Sequence, residues 1–257
     1  MSVPPAQLRL DWVYGYRGHQ CRNNVYYLAS GEIVYFVAAA GIVYNPFKKT
    51  QKHFVDHTDD IISLALHPDR KVVATGEIGS SPVVYIWDTE GLEIISVLSG
   101  EHTAGITALN FSTSGNLLGS VDLEESSTFC VYDWRKGKLL ASHKLQTERV
   151  FDIKFKPDDD SAIVTCGVKH INFWKHCGNA LKMTKGRFGR VGEIQSQMCV
   201  AFGEGEMCYS GTLTGDIYQW KGNELSSIVS NAHTGAIFSI NRSAVALAFS
   251  IIFLKTL

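Results

Sequence analysis

The chain has 257 residues, 45% hydrophobic and 19% charged, which is enough apolar surface for a sizeable core and too little charge for a disordered chain. Its 24 Lys and Arg against 25 Asp and Glu leave a net charge of −1, which excludes a global field selecting nucleic acid or an anionic membrane. Six scattered cysteines without a C-x-x-C pair, and apolar runs well short of the ~20 residues of a membrane span, lead us to expect a reduced, intracellular globular chain.

In chain order, Leu8 to Asn24 is aromatic and basic. Trp12, Tyr14 and Tyr16 alternate, so an extended strand places all three on one face, as a packing seam for the N-terminal segment or as a partner site. Beyond the turn Ser30-Gly31-Glu32, five period-2 segments each close on an aromatic residue, at Tyr44, Trp87, Tyr132, Trp174 and Trp220. Their spacing of about 42–46 residues is that of a four-stranded propeller blade. His57-Thr58 and His102-Thr103 precede Trp87 and Tyr132, and His233-Thr234 follows the last aromatic; each opens an alternating strand, the last being Ile237 to Ile240. Short strands after the next turns carry a small hydroxyl residue, at Thr75, Ser120 and Thr165. Helices and an unrelated β-sandwich are disfavoured by the period of 2, the 23 glycines and the in-phase repeats.

From about Val25 to Ile240 these segments resemble WD40 repeats. The resemblance implies an all-β propeller with a buried relay of His57, Thr75 and Trp87 in one blade, and of His102 and Ser120 in the next, where Tyr132 replaces tryptophan. Thr165, Trp174, Trp220 and His233 fall on further repeat positions. The relay's turn aspartate is expected to be missing or displaced, with Gly79-Ser80, His170 and Thr214 near its place. The aromatic segment and the run Ile33 to Gly41 resemble the HELP motif of the echinoderm microtubule-associated protein-like family. Cys166-Gly167-Val168-Lys169-His170-Ile171 and Cys177-Gly178-Asn179-Ala180-Leu181 are similar to segments of the same family. This implies the first part of a tandem atypical propeller that binds tubulin, in the subgroup without an N-terminal coiled coil.

The expected organisation is a HELP motif with the first blade strands over 1–45, WD40 repeats over 46–240 and a divergent apolar tail over 241–257. Projecting the period beyond Trp220 gives five blades and the start of a sixth, an incomplete ring, from a fragment or a short isoform. With no G-x-S-x-G, G-x-x-x-x-G-K-[ST] or H-E-x-x-H, no catalytic residue, metal ligand or cofactor is assigned. Cys166, His170, His176 and Cys177 lack the paired knuckles of a zinc site. Lys182, Lys185, Arg187 and Arg190 form the most basic stretch, either a contact for an acidic surface such as tubulin or a solvated connector. Expected partners are tubulin or microtubules and the remaining propeller blades, with no nucleic acid and no membrane, in the cytoplasm and its cytoskeleton. The competing expectation is a general WD40 scaffold for a non-tubulin partner.

Overall fold

The computed structural model describes residues 10–18, 21–123, 128–145 and 149–241. The tail from Arg242, and Leu8 and Arg9 of the aromatic segment, lie outside the described residues. Short hydrogen-bonded turns link the period-2 runs into five four-stranded antiparallel sheets, each in sequential strand order. Blade 1 is β1 (Val25–Tyr27), β2 (Ile33–Val37), β3 (Ala40–Asn45) and β4 (Thr50–Phe54). Blade 2 is β5 (Ile61–Leu66), β6 (Val72–Glu77), β7 (Val84–Asp88) and β8 (Ile94–Leu98). Blade 3 is β9 (Ile106–Phe111), β10 (Leu117–Asp122), β11 (Thr128–Asp133) and β12 (Lys138–Lys144). Blade 4 is β13 (Val150–Lys156), β14 (Asp159–Gly167), β15 (His170–Cys177) and β16 (Ala180–Lys185). Blade 5 is β17 (Gln197–Phe202), β18 (Met207–Thr212), β19 (Ile217–Lys221) and β20 (Glu224–Val229).

The first strands of blades 2 to 5 pack against one another in succession, which makes the sheets the blades of a WD40-type propeller with those strands innermost. Each core lies between blades: Ile86 and Leu98 of blade 2 join Ile106 and Leu118 of blade 3, and Val121 and Val131 of blade 3 join Ile153 and Ile163 of blade 4. Bulges fall beside Trp87, Tyr132 and Trp220, where the third strand pairs with the fourth; such bulges strengthen the local twist.

Close approach between blades requires glycine. At Gly76 an added Cβ would stand 2.6 Å from Ser63 Oγ and 2.7 Å from Ile106 Cβ of the next blade. We therefore expect Gly76→Ala to cost about 1–3 kcal/mol through overpacking, read as a lowered urea midpoint at unchanged m-value. A midpoint within error of wild type would show that the seam between blades 2 and 3 yields freely.

Two strand expectations are corrected. Ile237 to Ile240 forms no strand, because no partner strand lies beside it among the described residues. It nonetheless docks as an inner segment: Ile237 N donates to Thr212 O (3.0 Å), and Cys199 Sγ donates to Ile237 O (3.1 Å) as Ser63 Oγ does to Ile106 O (2.5 Å). Trp12, Tyr14 and Tyr16 do not lie along a strand either, since Gly15 takes φ +97° and breaks the extended path. Tyr14 is 85% exposed rather than packed, whereas Trp12 meets Tyr44 edge-on (6.0 Å) and Tyr16 meets Tyr35 (6.0 Å).

Candidate functional site

The repeat positions build hydrogen-bond chains inside the blades. In blade 2, Trp87 Nε1 donates to Thr75 Oγ1 (3.0 Å), the Thr75 hydroxyl to His57 Nε2 (2.7 Å), and His57 Nδ1 to Glu77 Oε2 (2.8 Å). Burial holds the His57 pKa below its usual value against the opposing pull of Glu77, so the ring is neutral and the direction of the chain is set. Blade 3 repeats the pattern with Ser120 donating to His102 Nε2 (2.6 Å) and Tyr132 hydrogen-bonded to Ser120. Burial pushes His102 down to about 4, against the opposing pull of Asp122.

The relay carboxylate, expected to be missing or displaced, is displaced: it stands two residues after the hydroxyl, as Glu77 and Asp122. Sequence reasoning sought it in the later turn, at Gly79-Ser80, His170 and Thr214. Asp122 is one methylene shorter than Glu77: its Oδ2 lies 4.0 Å from His102 Nδ1, which has no hydrogen-bond partner among the described residues, and binds Thr103 N (2.9 Å) instead. Blades 4 and 5 carry Gly167 and Thr212 at the matching register. Trp174 Nε1 still donates to Thr165 Oγ1 (2.9 Å), and Trp220 Nε1 to Ser210 Oγ (2.8 Å), whose hydroxyl reaches Gln197 Oε1 (2.6 Å) in place of a histidine. His233 belongs to a turn against blade 5, where its N–H donates to Gly215 O (2.9 Å).

The N-terminal segment crosses blade 1 from its outer edge to the propeller axis. Gln51 of β4 accepts from Val13 N (2.9 Å) and donates to Val13 O (3.1 Å), the exchange a paired strand would make. Further along, Tyr16 OH donates to Asn24 Oδ1 (2.6 Å), and Asn23 Nδ2 to Asp152 Oδ1 of blade 4 (3.2 Å). Arg22 lies over the rings of Phe151 (4.6 Å) and Phe238 (5.4 Å), so this segment ties blade 1 to the far side of the ring.

The basic stretch is a strap between blades 4 and 5 rather than a free connector. Gly186 N donates to Ile171 O (2.8 Å), Arg187 N to Asn223 O (2.8 Å) and Leu225 N to Arg187 O (2.9 Å). Phe188 is buried edge-on to Trp220 (5.1 Å), and a Cβ at Gly186 would stand 2.4 Å from Ile171 Cγ2. Lys182 and Lys185 on β16, and Arg187 and Arg190 on the strap, are all exposed, with Arg187 3.4 Å from Glu224 and the other three unpaired among the described residues.

The six cysteines are free; Cys130, Cys166, Cys199 and Cys208 are buried, Cys21 is half-buried and Cys177 is exposed. Burial raises the pKa of Cys130 and Cys199 to about 12. Cys166 lies in the core between blades 4 and 5, away from exposed Cys177, and no group of three or more His, Cys, Asp or Glu among the described residues is placed to hold a metal ion. A cavity of about 370 Å³ between blades 1 and 2 mixes Glu32, Asp88 and Glu90 with Arg70 and Lys71 and has no histidine or cysteine in its lining. No helix among the described residues is long and apolar enough to cross a membrane.

A family profile described as the echinoderm microtubule-associated protein first beta-propeller matches residues 50–250, and one described as the HELP motif matches residues 3–42. Echinoderm microtubule-associated protein-like 1 of Mus musculus is 39% identical over 252 residues, 93% of this chain and 31% of that protein. Echinoderm microtubule-associated protein-like 2 of Homo sapiens is 37% identical over 93% of this chain and 39% of its own length. For the 77 kDa echinoderm microtubule-associated protein of Lytechinus variegatus the identity is 38%, over 93% of this chain and 38% of that one. The chain thus spans 31–39% of the length of these relatives. Among solved structures, the RRP9 WD40 repeats match at TM-score 0.66 and 16% identity, over 84% of this chain and 66% of that one. The computationally designed Ika8 protein matches at 0.67 and 20%, over 89% and 67%. These two likenesses show the fold, while the family profiles and the relatives show the lineage: the chain belongs to the echinoderm microtubule-associated protein family, matching its HELP motif and, over residues 50–250, its first propeller.

Proposed function

We propose that this chain is a non-catalytic propeller module that binds tubulin or microtubules and acts on microtubule assembly, in the cytoplasm on the microtubule cytoskeleton. The observation that carries this reading is the 37–39% identity, over 93% of the chain, to proteins named as microtubule-associated. The strap supports a contact site, because Lys182, Lys185, Arg187 and Arg190 stand exposed on a stretch fixed by backbone bonds and by buried Phe188, so little ordering is left for binding. Ile237 and Ile240, buried against blade 5 without a strand partner among the described residues, suit the inner segment of a further blade.

Cosedimentation with assembled microtubules tests the reading. The wild-type chain is expected to pellet, less so as salt rises, and the double variant Arg187→Glu/Arg190→Glu to bind roughly tenfold more weakly through lost charge pairing. Undiminished binding by the double variant removes the strap from the contact; a wild-type chain that stays in the supernatant removes tubulin as the partner. The alternative, a scaffold for a non-tubulin protein, has its own observation in blade 2, whose outer strand exposes Ile94, Ile95 and Val97 together.

A further inference from the structure

At the propeller axis a cavity of about 400 Å³ opens on the side where the inner strands end. Every blade lines it from its innermost strand, through Tyr26, Leu66, Asn110, Lys154 and Ala201 in turn. Among the described residues the lining contains one cation, Lys154, several amides and hydroxyls, and no carboxylate. Lys154 Nζ has a single charged neighbour, Asp152 Oδ1 at 3.7 Å, beyond hydrogen-bond length, while a quarter of its side chain remains open.

Asp152 is already committed elsewhere. It is buried, and its oxygens accept from Ile153 N (3.0 Å), Asn23 Nδ2 (3.2 Å) and Val200 N (3.2 Å). It also serves Arg22, a second cation at the axis, whose Nε is buried without a partner among the described residues. Among the described residues one carboxylate, Asp152, thus faces Lys154 and Arg22 in a desolvated setting, with Arg149 a further cation near Arg22, which leaves positive charge in excess where fields are poorly screened. Asn110 Oδ1 accepts from Phe155 N (2.9 Å), which leaves its amide N–H groups as donors beside Lys154, and Asn241 and Ser239 line the same space.

We propose that this axial cavity is a carboxylate-binding site, with Lys154 as the charge partner and the neighbouring amide groups as hydrogen-bond donors. Its ligand is a side-chain carboxylate of a protein partner or a free small dicarboxylate, two sources of one chemistry. The site is separate from the basic strap and does not rest on microtubule association.

Isothermal titration of the 257-residue chain distinguishes the sources, with glutarate, the capped tripeptide Ac-Gly-Glu-Gly-amide and its Gln counterpart as probes. Saturable binding of glutarate or of the Glu peptide is expected, none of the Gln peptide, with affinity about tenfold weaker in Lys154→Met and kept in Lys154→Arg. Binding of the Glu peptide identifies a protein side chain as the ligand, and binding of glutarate alone a free anion. Equal affinity in Lys154→Met, or no binding of either carboxylate by wild type, overturns the proposal. Should Lys154→Met fail to fold, wild-type chain with ¹³C-methylated lysines gives the answer: the resonance assigned to Lys154 by its loss in Lys154→Arg must shift with glutarate, and a stationary resonance overturns the site. Because cosedimentation is scored separately, a negative result here leaves the microtubule reading standing.

Discussion

Trp134→Ala is expected to destabilise the chain by about 4 kcal/mol, within the range of buried aromatic truncations. Trp134 opens a single 3-10 turn after β11 and is 2% exposed. Its ring meets Phe111 of its own blade and His67 of blade 2 edge-on, each at 5.6 Å. Its Nε1 donates to Gly115 O (2.8 Å), a carbonyl also reached by His67 Nε2 (3.0 Å) and Arg135 Nη1 (3.0 Å). The indole therefore both fills the space between two blades and completes a three-donor knot on one carbonyl. Packing is the larger contribution, so Trp134→Phe, which keeps a ring and leaves two donors on Gly115, should cost only about 1 kcal/mol. Urea titrations of the two variants check this, and equal losses would assign the effect to the hydrogen bond instead.

Mild acid should weaken the fold through the blade histidines. His102 titrates near 4 in the folded chain, first because it is buried and despite Asp122, whereas an unfolded histidine titrates near 6.5. The unfolded state therefore takes up the proton first, and stability is complete above pH 6.5 and falls as pH drops from 6.5 towards 4. The full shift corresponds to about 3 kcal/mol. His57 is also depressed, by burial, and adds to the loss with the same sign. Asp159, lowered to about 2 by its bonds to Ser161 and Lys175, acts only in stronger acid and leaves this window to the histidines. Urea midpoints at pH 7 and 4.5 should converge in His102→Gln relative to wild type; identical pH slopes would place the titrating group elsewhere.

The blade count was readable because each strand's aromatic and hydroxyl residues recur in step, and that step is imposed by the repeating Trp–Ser/Thr bond inside the blades. Glu77 and Asp122 stand in step two residues past the hydroxyl, outside the turn where the acid is expected, and Ser210, ten residues before Trp220, is the matching hydroxyl of blade 5. Gln197 had no such signal, since it replaces a histidine by a residue of different shape. The N-terminal segment misled for a local reason, as Gly15 interrupts an alternation that otherwise suits a strand. The axial group was illegible: Asn23 and Asp152 lie 129 residues apart, and nothing periodic joins them.

Free cysteines distributed over three blades make the chain its own unfolding gauge. A maleimide should label Cys177 at once, because that thiol is exposed, while Cys130 in blade 3 and Cys199 and Cys208 in blade 5 react only after their sheets part. Mass added over time then ranks the blades by how often each opens. Buried thiols modified all together in each molecule would mean a ring that opens only as a whole, and a graded sequence would mean one that peels blade by blade.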